Sequence, residues 1–290
     1  MGGTFIVTLR EAFEAALLLG IVYTYLDKIG CRREWRYVTG GAVLGLVASL
    51  ALGVAVSVFS GPLFDLGPDL VAAGVIFLAV GLLTWHAWWM RRHARSLRGE
   101  LQARIATAHA SRRAWMVGLI AFTGVFREGS ETVLFLWGLV SQATAGLGWG
   151  SVVGGFFGVG TAAVLGCAIF RGSRRVSLAR FFAVTTLLLL FLAAGLASAG
   201  VGRLQGLGVL PLSLPVWDTS GLLDDQGLVG SFLSGLIGYR ARPTAYEVAA
   251  YLTYLVIVGA VLFGPPRLVS WGAAPRAPTR PLSGRSSLGR

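Results

Sequence analysis

Seven stretches of the chain stay apolar for about the 20 residues a helix needs to cross a bilayer. They run over 4–26, 37–60, 70–90, 115–140, 150–170, 181–202 and 246–264. The pattern predicts an all-α integral membrane protein with seven transmembrane helices. Two of the stretches break their own pattern. "TLREAFEAALLLG" sets Arg10, Glu11 and Glu14 in the middle of the first, and "VFREGSETVLFLWG" sets Arg127, Glu128 and Glu131 in the fourth. A charge at the centre of a membrane helix costs roughly 2.5–3.5 kcal/mol when left to itself, so each triplet needs partners.

The segments between the stretches fix an expected orientation. Lys28, Arg32, Arg33 and Arg36 fill the first loop, seven arginines fall in 91–114, four in 171–180 and five after Gly264. The segments 61–69 and 141–149 hold no Lys or Arg, and 203–245 holds only Arg203, Arg240 and Arg242. Positive loops stay cytoplasmic, which puts the N-terminus outside and the C-terminus inside the cell membrane.

The second triplet repeats the first at a constant offset, from 10, 11 and 14 to 127, 128 and 131. The two copies begin three spans apart, an odd number, so the first span runs inward and the fourth outward. The expected organisation is two inverted three-helix repeats plus a seventh helix, an architecture that places binding sites near the midplane at the repeat interface. Its parts are a first repeat at 1–90, a cytoplasmic basic loop at 91–114, and a second repeat at 115–203. An extracytoplasmic segment at 204–245, a seventh helix at 246–264 and a disordered tail at 265–290 follow. Glycines four residues apart, Gly41/Gly45 and Gly150/Gly154/Gly158, suggest close helix contacts, although such glycines more often only tolerate packing.

Composition agrees. Hydrophobic residues make up 55% of the 290 and charged residues 13%, against about 25% charged in soluble proteins. The net charge of +12 sits in short clusters between apolar spans, which does not suit nucleic acid. Cys31 and Cys167 form neither a CxxC nor a zinc spacing and read as packing residues. The single lysine, Lys28, precedes Ile29, so no Walker A loop exists to power the chain with ATP. The first stretch lacks a basic n-region and an A-x-A site and carries Glu in its apolar run, so it reads as a span, not a cleaved signal.

On a helix, residues three apart share a face, so each R-E-x-x-E presents two carboxylates on one side with the arginine on a flank. Facing helices would gather four carboxylates around one small volume. Arginines offset their repulsion when no cation is present, and a cation does so when it is held; carboxylate oxygens suit hard metal ions. One such motif alone could be a packing clamp. Two copies at matched depth in inverted repeats favour a shared site.

"REAFEA" and "REGSET" resemble the R-E-x-x-E motifs of the high-affinity iron permeases, the fungal permeases that work with a ferroxidase and their bacterial relatives. "WDTSGLLDDQGLVGSFLSGLIGYRARPTAYEVAAYLTYL" (217–255) is similar to the C-terminal region of the bacterial members. In the family a Gly usually follows R-E in the first motif; here Ala12 and Phe13 follow. The resemblance implies that Glu11, Glu14, Glu128 and Glu131 carry iron across the membrane, supported by Arg10 and Arg127. It implies iron, in ferric form after an oxidation step, as transported substrate, with no permanently bound cofactor. It also implies a separate extracytoplasmic oxidase, peroxidase or cupredoxin-like partner. The oligomeric state is not fixed by the sequence.

Other residues are weaker candidates. Asp218, Asp224 and Asp225 could draw cations to an outer entrance or simply cap and solvate a loop. Glu247 opens the last span either as an outer ligand or as an acid complementing the helix dipole. His86 and His93, in "WHAWWMRRH", read as part of an aromatic and basic interfacial anchor in preference to an exit-side metal site. Among other functions, an intramembrane di-iron enzyme would use Glu-x-x-His pairs, and neither motif span contains a histidine. A carrier for another metal, such as lead or manganese, remains open at this level.

Overall fold

The computed structural model describes residues 1–65, 68–93, 97–110, 114–142, 149–170, 178–225 and 227–263. Apolar runs without internal breakers become α1 (Gly2–Lys28), α2 (Trp35–Asp65), α3 (Pro68–His93), α5 (Ala114–Gln142), α6 (Trp149–Phe170), α7 (Leu178–Gly206) and α9 (Ala245–Phe263). Two shorter helices are α4 (Leu97–Ala110) and α8 (Leu228–Ile237). Among the described residues the only β-type pairing is an isolated bridge between Pro215 and Thr244. The expected tail at 265–290 lies outside the described residues.

Five of the described helices are long and apolar enough to cross a membrane: those over Arg32–Phe59, Asp69–Arg91, Trp149–Ile169, Arg180–Gly206 and Ala245–Phe263. With 27 and 29 residues, α1 and α5 are about 40 Å long, and these are the helices interrupted by the charged triplets. The chain is a multi-pass membrane protein. Its outward faces fit that: Val43, Leu44, Val47, Leu50, Val54 and Val58 of α2 are all more than half exposed. In water such a stripe would be an association hazard.

The helices pair as α1 with α6, α2 with α5, and α3 with α7; α1 and α3 both also pack on α5, and α9 lies on α7. Glycines set the two closest pairings. A Cβ at Gly45 would lie 2.8 Å from the Phe122 carbonyl of α5, and one at Gly158 would lie 2.7 Å from the Phe5 carbonyl of α1. The four-residue glycine series therefore decides how near the backbones come, which is more than passive tolerance of packing. Thr8 Oγ1 uses the proximity to donate to the Gly155 carbonyl at 3.2 Å. A direct comparison follows. Gly158→Ala is expected to destabilise the protein by about 1–3 kcal/mol, the usual cost of overpacking, seen as a lower unfolding temperature in detergent. Gly160→Ala, two residues on and with nothing within 4 Å of its Cβ, is expected to leave it unchanged.

Between these pairs lies a core of Ile6, Val7, Ile76, Val80, Leu83, Phe135, Leu189, Leu192 and Leu196. A second cluster, Val22, Leu26, Val38, Ile105, Val117 and Ala121, closes the other end of α1. Ile105 belongs to α4, so the segment expected as a basic loop contains a docked helix. Its sequence, LRGELQARIATAHA, is rich in strong helix formers, and one buried isoleucine ties it down. The 204–245 segment likewise holds α8, which packs on the start of α1 and on α7. α8 ends at Gly238, whose φ of 72° suits glycine and whose backbone touches Gly195 of α7. Gly195 is about 16 Å in from the Gly206 end of α7, so α8 enters the helical layer and does not lie flat on it.

Candidate metal centre

The charged triplets meet because α1 and α5 pack directly on each other and α3 packs on α5. In α1, Arg10 is fully buried, with Nη1 3.3 Å from Glu11 Oε1 and Nη2 3.2 Å from Glu14 Oε1. In α5, Arg127 Nε lies 3.1 Å from Glu128 Oε1 and 3.3 Å from Glu131 Oε1. Each arginine thus clamps the two carboxylates of its own motif. The sequence treats the two copies as equivalent, but the structure does not. The Arg127 side chain is 40% exposed, and its guanidinium lies 4.5 Å from the centre of the Trp89 ring of α3, a cation–π arrangement. Arg10 has no exposure at all.

Glu11, Glu128 and Glu131 can each offer an oxygen such that all three atoms lie within 4.8 Å of one another. Glu11, Glu14 and His86 form a second such group, and Glu11 is common to both. All these residues are buried except Glu131, which is half-buried. Several of their polar atoms make no hydrogen bond: Arg10 Nε, Glu11 Oε2, His86 Nε2 and Glu128 Oε2. Buried polar atoms are nearly always satisfied. Their concentration in one volume lined by carboxylates fits a cation coordinated by oxygen.

His86 requires a correction. It is not an interfacial anchor: it is buried, with Nε2 4.0 Å from Glu11 Oε1 and 3.8 Å from Glu14 Oε1 and with Nδ1 against Glu131 Oε2. The Phe135 ring meets its imidazole edge-on, 6.0 Å between centres. The physical reason is the direction of its face. Ala72, Ile76, Ala79, Leu83, Ala87 and Met90 are the buried stripe of α3, and residue 86 falls on that stripe. Trp85, one position away, is 62% exposed. The stripe of small and aliphatic residues at three- and four-residue spacing was the available signal. Of His93 only the backbone, at the end of α3, is described.

The departure at Ala12–Phe13 is absorbed by packing. Phe13 is fully buried, with its ring 4.1 Å from that of Phe181 and 6.1 Å from that of Phe182 on α7.

The acidic residues expected at the entrance have partners of their own. Glu247 forms a capping box at the start of α9. Its Oε2 accepts from the Thr244 N–H at 2.9 Å, and its own N–H donates to Thr244 Oγ1 at 3.3 Å. Arg240 Nη1 lies 2.5 Å from its Oε1. That is the helix-start role, and it leaves little of the carboxylate for a ligand. Asp218 accepts from the Ser220 hydroxyl and backbone N–H and pairs with Arg242 at 3.0 Å; these bonds hold its carboxyl down at about 2. Asp224 is exposed, Asp225 half-buried, and the Asp224 carbonyl accepts from the Gly227 N–H before α8. Cys31 and Cys167 form no disulfide.

Comparison with known proteins gives this geometry a family. A model of the iron permease FTR1 family matches residues 1–274. The ferrous iron permease EfeU of Yersinia pestis is 32% identical over 273 residues, covering 93% of this chain and 95% of that protein. The ferrous iron permease EfeU of Escherichia coli O157:H7 is 30% identical over 276 residues, covering 94% of this chain and 96% of that one. No solved structure matches. A match that runs from the first motif through the last membrane helix makes the chain a member of the FTR1 iron permease family.

Proposed function

We propose that the chain is a transporter that imports iron across the cell membrane, with Glu11, Glu14, Glu128 and Glu131 as the transported ion's ligands. The observation that carries this is the meeting of two R-E-x-x-E motifs, distant in sequence, in one buried cluster of carboxylates. Seven spans are part of the proposal, the five apolar helices together with α1 and α5. The pairing of α1 with α6 and of α2 with α5 supports inverted three-helix repeats, because exchanging the repeats turns one pair into the other. Arg10 and Arg127 compensate the carboxylates when no ion is held and give way when one enters.

Iron uptake into liposomes containing purified protein tests the proposal, run against manganese and lead. Iron carried in preference to both supports it, and transport of either in place of iron replaces the substrate. Four carboxylates and two guanidiniums sum formally to −2, which balances a divalent ion. The ferric form of the proposal includes an extracytoplasmic oxidase, peroxidase or cupredoxin-like partner. Uptake of ferric citrate without reductant supports that form, and uptake confined to ascorbate-reduced iron replaces it with a ferrous carrier.

Orientation is proposed from the arginine distribution, with the N-terminus outside and the C-terminus cytoplasmic. In a background without Cys31 and Cys167, Leu212→Cys, at a position 83% exposed between α7 and α8, is expected to react with an impermeant thiol reagent added outside. Arg33→Cys, in the α1–α2 connection, is expected to react only after the membrane is opened. The opposite pattern would invert the whole assignment.

A further inference from the structure

We infer that His86 is a ligand of the transported ion through Nε2, with Glu131 as the residue that orients it. This deepens the proposed iron site and rests on it. The sequence motifs supply only oxygen. The fold adds one nitrogen, carried by a third helix, and aims it at the same carboxylates.

Three observations converge. His86 Nε2 makes no hydrogen bond, although the residue is only 5% exposed. That atom faces Glu11 and Glu14 at 4.0 and 3.8 Å, and the three residues can bring their ligand atoms within 4.8 Å of one another. Its other ring nitrogen, Nδ1, is engaged by Glu131 Oε2. A metal-bound histidine typically hands its second nitrogen to a carboxylate, which fixes the ring and raises its basicity. Glu131 is itself held from the far side by Arg127 through Oε1, so the chain Arg127–Glu131–His86 ends in Nε2, which faces two carboxylates. Phe135 backs the ring and limits its rotation.

The chemical consequence is selectivity. Carboxylates alone suit magnesium, calcium and manganese, whereas imidazole shifts preference toward iron and the later transition metals. A four-glutamate site without His86 would discriminate poorly against magnesium, which is far more abundant in most media. Glu11, shared by the nitrogen-containing group and the all-oxygen group, lets an ion pass from one to the other without leaving all its ligands at once.

Manganese(II) is the probe, because it binds carboxylates with or without nitrogen and is seen by pulsed electron paramagnetic resonance. Purified full-length protein loaded with manganese is expected to show nitrogen-14 modulation that is lost in His86→Gln and kept in His93→Gln and His109→Gln. In liposomes, His86→Gln is expected to lose at least about tenfold in the preference for ferrous iron over magnesium, a loss in the range that altered metal surroundings produce. His86→Asp is expected to retain ion binding with the same loss of preference. Manganese bound to the parent without nitrogen modulation, or iron preference unchanged in His86→Gln, would overturn the role of His86 and leave the four-glutamate carrier standing. A parent protein that binds no manganese and carries no iron would overturn both.

Discussion

Glu11→Gln is expected to reduce iron uptake by about a hundredfold or more, the upper end of what even outer changes cost at metal sites. Glu11 is common to both groups of closely placed ligand atoms, so under the proposed function its loss would remove a ligand from either group. Glu14→Ala and Glu131→Ala are each expected to abolish uptake as well, and the double variant to be no worse than either one. Groups acting as a unit are non-additive in this way, and the contacts from α1 and α5 converge closely enough to make them a unit. Uptake into liposomes, normalised to protein that elutes as a single folded species, checks the set. Singles that each keep about half the activity, with a double that loses all of it, would indicate two independent paths. Asp218→Asn serves as the comparison, since Asp218 is tied to Ser220 and Arg242 and is expected to leave uptake unchanged.

The second large effect is on stability, and it separates the two arginines. Arg10→Gln is expected to destabilise the fold by about 3–5 kcal/mol, the cost of leaving buried charges without their partner. Arg10 has no exposure and contacts both Glu11 and Glu14. Arg127→Gln is expected to cost less than Arg10→Gln, because protein encloses its side chain less completely: it is 40% exposed. Thermal unfolding of both variants in the same detergent measures the difference. Arg10→Leu combined with Glu14→Leu is expected to recover part of the Arg10→Gln loss, since apolar residues of similar size often replace a buried pair without cost. Equal losses for the two arginines would mean that their different surroundings do not matter and that a two-fold symmetric clamp describes the site.

How much was legible divides along a physical line. Hydropathy is a property of local sequence, so the membrane helices and the charged interruptions in α1 and α5 could be read directly. Exact repetition of R-E-x-x-E links the two motifs on sequence grounds alone, because a shared spacing needs no geometry to be recognised. The same sequence could not rank Arg10 against Arg127. Their letters and neighbours at i+1 and i+4 are the same, and only the packing of α1, α3 and α5 puts one in the interior and the other beneath Trp89. Nor could it separate a glycine that sets a helix contact from one that does not. Gly158 and Gly160 lie in the same helix, and the nearness of α1, through Phe5, Thr8 and Leu9, distinguishes them. His86 is the clearest case. Its flanking tryptophans and arginines suggested a membrane interface, a reading by neighbours along the chain. On a helix the deciding neighbours are three and four residues away, and the partners belong to other helices. Sequence by itself determined the membrane class, the family and the four carboxylates. The tertiary structure decided that a histidine stands among them, because which face of α3 meets α5 is a non-local outcome of packing.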